Sequence, residues 1–323
     1  MLPVIRTATT AIALLALVAL LLACEPASSP PGAIPPPEAS AASAPTGSRA
    51  PVTTATPRPT ATPTPGPTST AAPASRDGTY LALGDSLAVG VGASQPSRLG
   101  YVALLFERLR APDRAGGPSA TRLANVAVSG ETSSSLIAGG QLERALQVIA
   151  DSEPRVSVVT LDIGGNDLLR LLGTEPCTSA PASDGCEALV RATLDGFEAN
   201  ERRVLAELRR ALDAAASPAP LAVMTYFNPF SGTDDLYEVA ADRALLGADG
   251  RVDCAAARRD VAARGMNDII ACLGEEHGAI VVDVQPLYAG LGLELTHIGS
   301  EDIHSNDAGY AVIADAFAEA LSR

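Results

Sequence analysis

From about residue 77 onward, apolar and polar positions alternate in two rhythms. Five short, nearly continuous apolar runs have the length and composition of buried strands: TYLALG (79–84), RLANVAV (122–128), RVSVVTLDIG (155–164), PLAVMTYF (220–227) and AIVVDV (279–284). Between and after them, apolar residues recur three and four apart, as on one face of a helix. These stretches are YVALLFERLR (101–110), SLIAGGQLERALQVIA (135–150, its Gly pair read as tolerated), a long segment over 186–215, another over 254–278, and NDAGYAVIADAFAEALSR (306–323). Strands each followed by a helix predict an α/β domain, a parallel five-stranded sheet covered on both faces. In such sheets ligands bind at the carboxyl ends of the strands, so reactive residues are expected just after them.

The first 76 residues follow neither rhythm. Arg6 precedes an apolar run from Thr7 to Ala23 that ends LLAC. A short apolar stretch closed by a small residue is a secretory signal pattern. Its end resembles a bacterial lipobox, in which Cys24 becomes the acylated N-terminus, although Leu22 is larger than the residue usual at its position. An uncleaved N-terminal anchor is the competing reading, since the run lies at the lower limit for spanning a bilayer. Residues 25–76 hold fourteen of the chain's 25 prolines among Ala, Ser and Thr. Such a segment buries too little surface to offset its ordering entropy and reads as an extended spacer. Residues 77–323 are then the folded domain, outside the cytoplasm and tethered by its N-terminus.

The formal net charge is −14, and every one of the 23 basic residues is Arg. An acidic domain without a basic patch argues against nucleic acid, and against an anionic membrane surface, as partners. Cys177, Cys186, Cys254 and Cys272 remain after Cys24, an even number in an exported domain. Cys177–Cys186 and Cys254–Cys272 are the favoured pairs because each closes a local segment. A metal site is disfavoured, because CxxC spacing and nearby His ligands are missing.

Four stretches follow predicted strands and carry candidate chemistry: Gly84-Asp85-Ser86, NVAVSGETS with Asn125 and Gly130, Gly164-Gly165-Asn166-Asp167, and EDIHSNDAGY with His304. A serine hydroxyl needs a base to take its proton, and His304 is the candidate. A developing oxyanion needs fixed donors. The backbone N–H of Ser86, that of Gly130 and the side-chain amide of Asn166 are the three candidates.

In this order and spacing the four blocks resemble the SGNH hydrolase family, the GDSL esterases and lipases, over essentially the whole of 80–323. The resemblance implies a three-layer α/β/α, flavodoxin-like fold and a serine esterase or lipase acting through an acyl-enzyme on Ser86, with no cofactor or metal. It implies a small-molecule or lipid ester as substrate, a monomer, and membrane contact only through the N-terminal anchor. The family's acid stands three residues before the His, which here is Glu301. Asp302 stands two before, and a backbone carbonyl is a third acceptor for the imidazole. An envelope-glycan O-acyltransferase, a deacetylase and a catalytically silent binding module are the alternatives.

Two long segments, 173–186 and 228–253, are expected to shape the pocket. The scarcity of aromatic residues and the TYFNPFSG run, which resembles a disulfide-containing lipase branch of the family, favour acyl or lipid esters over polysaccharide. Asp85 is read as a brace for the Ser86 loop and Asp167 as a helix cap. Asp162 is expected to brace the Ser86 or Asn166 loop or to pair with an Arg. His277 is read as structural, His297 as a candidate pocket residue, and the small residues Ala88–Gly92 as the turn beneath an acyl group.

Overall fold

The computed structural model describes residues 77–111, 117–233, 236–248 and 250–323; the expected signal segment, Cys24 and the spacer lie outside them. Five strands form one parallel sheet: β1 (Thr79–Gly84), β2 (Arg122–Asn125), β3 (Val156–Asp162), β4 (Leu221–Met224) and β5 (Ile280–Val282). Their spatial order is β2-β1-β3-β4-β5. The order reverses between β1 and β3, which opens a crevice at their carboxyl ends, where Gly84 pairs with Asp162. β1 is buried at every position and β3 at all but one, as expected of strands covered on both faces.

The helices, in chain order, are α1 (Ser86–Val89), α2 (Pro96–Leu99), α3 (Tyr101–Leu109), α4 (Ser133–Ala138), α5 (Gln141–Asp151), α6 (Gly165–Leu169), α7 (Asp184–Ala214), α8 (Leu236–Leu246), α9 (Cys254–Arg259), α10 (Met266–Glu276), α11 (Gly292–Leu295) and α12 (Asp307–Ala320). α3 and α12 pack together on one face of the sheet, where Tyr101 and Phe317 stack with ring centroids 5.3 Å apart. α5, α7 and α10 pack together on the other. The architecture is the three-layer α/β/α fold expected. Among the described residues no helix is long and apolar enough to cross a membrane.

Three expectations need correction. The helix foreseen over 135–150 is two, α4 and α5, because Gly140 adopts φ 81°, a left-handed conformation that turns the chain. The helix foreseen over 254–278 is likewise broken. Gly265 packs so closely on the backbone of Leu245 that a Cβ would stand 2.4 Å from it, and the Asp268 carboxylate accepts the Gly265 N–H to start α10 afresh. The segment 228–253, expected to shape the pocket but given no element, contains α8. β2, β4 and β5 also end earlier than their apolar runs; the residues after β4, Tyr226 and Phe227, turn into the cleft, while Val126 and Val128 still donate to the Ala82 and Gly84 carbonyls of β1.

Both disulfides form as paired from the sequence, Cys177–Cys186 and Cys254–Cys272. The first ties the start of α7 to the preceding loop, the second α9 to α10.

Candidate active site

Ser86 is the first residue of α1, a single turn that Asp85 caps by accepting the Leu87 N–H and that Gly90 closes. The strand-to-helix turn therefore presents the Ser86 hydroxyl at the carboxyl end of β1. His304 arrives from the far side, on the loop before α12. That loop is held by a bridge between Thr296 and Ser305 and by the His297 N–H, which donates to the His304 carbonyl at 3.0 Å. His304 Nε2 lies 2.9 Å from Ser86 Oγ, and His304 Nδ1 lies 2.6 Å from Asp302 Oδ1.

Of the three acceptors left open by the sequence, the structure brings Asp302 to the ring. Glu301 is corrected by its backbone. It closes the turn at Ile298–Ser300 in a left-handed conformation, φ 63°, which leaves its side chain exposed. The bonds from His304 hold the Asp302 carboxyl below the usual carboxylate range, so it is ionised and can only accept. The proton of the ring thus belongs on Nδ1, and Nε2 is left with its lone pair toward Ser86.

Asn166, in the first turn of α6, lines the same cleft as Ser86 and His304. One hydrogen of its amide goes to the carbonyl of Glu131 at 2.9 Å, and a primary amide has a second to offer. That bond fastens the Asn166 loop to the loop of Gly130. Gly130 itself has φ 77° and only open space where a Cβ would be, and it does not line the cleft.

Two buried residues that the sequence reading passed over hold these loops together. Gln141, at the start of α5, accepts the Gly84 N–H at 2.8 Å and donates to the Gly84 carbonyl at 3.0 Å and to Glu131 Oε2 at 2.9 Å. Glu131 in turn accepts Asn166 through its backbone. A glutamine directly after a Gly pair, in an otherwise amphipathic helix and on its buried side, was the available signal.

Of the other polar residues, some hold the places expected and others find different partners. Asp85 braces the loop as foreseen and also accepts from Tyr226 Oη at 2.7 Å. Asp162 pairs with no Arg; Tyr101 Oη donates to its Oδ1 at 2.7 Å. Burial and the neighbouring Asp85 push the Asp162 carboxyl well up, and burial pushes the Asp85 carboxyl up as well. Asp167 does not cap its own helix. It accepts from the backbone N–H and the hydroxyl of Ser133, bonds of 2.9 and 2.7 Å, and so caps α4. His297 lies outside the cleft lining, its Nε2 2.8 Å from the Gly92 carbonyl. His277 closes α10.

Ala88–Gly92 do not lie beneath the acyl position either. Gly92, at φ 92°, makes room for His304, whose Cβ would stand 2.8 Å from a Cβ at that position.

Beyond the Ser86, Asn166 and His304 end, the cleft encloses about 1010 Å³ including its open mouth. Its walls are apolar: Leu168, Leu171 and Leu172 on one side, Phe230, Tyr237 and Leu245 on the other, with the Cys177–Cys186 disulfide and Val190 between. Both long segments expected to shape a pocket contribute. Among the described residues no cluster of three or more His, Cys, Asp or Glu is placed to hold a metal ion.

A serine, a histidine and a carboxylate in hydrogen-bonded series, at the carboxyl edge of a parallel sheet and without a Gly-x-Ser-x-Gly elbow, define a serine hydrolase distinct from the α/β-hydrolase proper. Residues 82–312 match the GDSL-like Lipase/Acylhydrolase family, and the chain belongs to it, which makes it a serine hydrolase of carboxylic esters. Solved structures similar to it include Axe2, an acetylxylan esterase from Geobacillus stearothermophilus, at 21% identity over 76% of this chain and 94% of that one, with a TM-score of 0.48. The lipase Lip_vut3 from a goat rumen metagenome is similar at 20% identity over 76% and 98%, TM-score 0.49. So is LAE5, an alpha/beta hydrolase enzyme from the metagenome of Lake Arreo, Spain, at 23% identity over 76% and 94%, TM-score 0.45. No curated protein matches the chain.

Proposed function

We propose that the protein is an exported esterase that hydrolyses esters of apolar acyl groups through an acyl-enzyme on Ser86. The observation that carries this reading is the series Ser86–His304–Asp302 opening directly into an apolar cleft. His304 Nε2 takes the Ser86 proton as Oγ attacks the ester carbonyl. The carbonyl oxygen becomes an oxyanion facing the Ser86 N–H and the free hydrogen of the Asn166 amide; Gly130, outside the cleft lining, is left without the donor role expected of it. His304, now an imidazolium held by Asp302, returns the proton to the leaving alkoxide, and the alcohol departs. Water then attacks the acyl-enzyme, with His304 again as base, and releases the acid and free Ser86.

The cleft wall supports an acyl rather than a sugar occupant, because nearly all of its lining is aliphatic or aromatic and few side chains are placed to pair with hydroxyls. The two disulfides suit an oxidising compartment, and the segment from Thr7 to Cys24 supplies the export signal and lipid attachment.

The test is hydrolysis of p-nitrophenyl octanoate by residues 77–323, together with labelling by a fluorophosphonate. Turnover and a covalent adduct on Ser86, both lost in Ser86→Ala, are the expected results. Activity that survives in Ser86→Ala overturns the assignment. Fatty-acid labelling of the full chain, lost in Cys24→Ala, tests the anchor.

A further inference from the structure

The acyl cleft has a neighbour. A second groove runs along the outer side of α8, between that helix, α7 and the turn at Val261–Ala263. Pro181, Val190, Ala240 and Ala244 line both depressions. Ala240 and Ala244 stand one helical turn apart and so form a seam along α8. On one side of the seam Tyr237 and Leu245 face the cleft, and on the other Val239 faces the groove. Two alanines, a valine and a proline therefore form the boundary that the two depressions share.

The groove is apolar along its floor, where Leu194, Ala262 and Ala263 lie. Val239 is 74% exposed, the most exposed large hydrophobic side chain among the described residues. The arginines along the rim are engaged: Arg191 and Arg243 by Glu187, and Arg264 by Glu198. The groove therefore suits an uncharged, apolar occupant, and it begins where the acyl cleft ends.

We infer that cleft and groove form one continuous acyl path crossing α8 at Ala240 and Ala244, and that the substrate is an ester of a long, unbranched acyl chain whose distal part lies against Val239. This rests on the cleft being the acyl site of Ser86. The small side chains of the shared boundary suit an unbranched chain better than a branched chain or a sugar. Methylenes that reach the groove cover Val239 and gain the burial that shorter chains forgo.

The experiment measures kcat/KM for p-nitrophenyl butanoate and hexadecanoate in the same detergent and compares their ratio between parent and variants. Val239→Glu places a charge on an exposed position that the butanoyl group does not reach. The long-to-short ratio is expected to fall about tenfold in this variant, the equivalent of losing the burial of a few methylenes. Ala244→Phe, which blocks the seam, is expected to lower it at least as far. A ratio within about twofold of the parent in Val239→Glu overturns the inference, because a chain ending inside the cleft does not feel that position. Val239→Glu is the deciding variant, since its exposed site tolerates substitution even if Ala244→Phe disturbs the fold. Absence of hydrolysis of both esters in the parent is a different result, and overturns the assignment of the acyl site itself.

Discussion

A single oxygen of Asp302, Oδ1, accepts both the ring Nδ1–H of His304 at 2.6 Å and its backbone N–H at 3.0 Å. The carboxylate thus orients the ring and the stretch of chain that carries it. Two residues of separation suffice because the intervening turn doubles back, which is why an acid one position from the family's usual place still reaches. Asp302→Ala is expected to lower kcat by about a thousandfold or more, and Asp302→Asn by a comparable factor through the wrong ring tautomer. Glu301→Ala should stay within about twofold of the parent, since surface substitutions away from special features have small effects. Steady-state kinetics on one ester decide between them.

Gln141 joins the loop that carries Ser86 to the loop that carries Gly130 and, through Glu131, to Asn166. Gln141→Ala strands the Gly84 N–H and the Glu131 carboxylate in the interior, while the Gly84 carbonyl keeps the Val128 N–H. A stability loss of about 2–4 kcal/mol is expected by urea unfolding. Because the loops it ties supply the oxyanion donors, kcat should fall about 10- to 100-fold with KM little changed. A rise in KM with kcat unchanged would show that only substrate binding depends on Gln141.

Glu201, buried in α7 with one carboxylate oxygen unpartnered, is pushed by burial and by nearby Asp167 from its ordinary 4.5 to about 8. Between these values the unfolded chain has lost this proton and the folded one keeps it. Its contribution to stability is therefore greatest below about pH 4.5, falls as pH rises toward 8, and is flat above. Glu201→Gln removes that slope and is expected to be about 2–4 kcal/mol more stable than the parent at pH 8, with the two converging toward pH 4.5. Paired urea titrations at several pH values measure the difference.

The Cys177–Cys186 disulfide both closes a short loop and forms part of the cleft wall. Its double replacement by serine is expected to cost about 2–3 kcal/mol of stability from the unconstrained unfolded chain. It should also raise KM for octanoate esters more than for acetate esters, because the wall it braces touches only the longer acyl group. Replacing Cys254 and Cys272, which lie away from the cleft, should lower stability without that chain-length bias.

The strands were legible because burial on both faces demands uninterrupted apolar runs, and β1 and β3 have little other reading. Ser86 and Asn166 were legible for a related reason: sheet topology alone gathers strand ends, and each stands just after one; His304, well beyond β5, was legible from the resemblance of its block to the family's. What local pattern cannot supply is contact between distant segments. The break at Gly265 depends on the approach of Leu245, the choice of Asp302 over Glu301 on a left-handed turn, and the role of Gln141 on a glycine a strand away. α8 escaped for a different reason, since its apolar residues face two depressions and leave no single stripe.

Ser86 and His304 stand 218 residues apart in the chain. The nucleophile is made early, on a central strand, but its base arrives only after β5 has been added and the last loop folded against Gly92. A chain emerging from the ribosome therefore carries an inert serine until His304 is in place. For a serine hydrolase of esters, this order of assembly withholds ester cleavage until the last loop of the domain has folded.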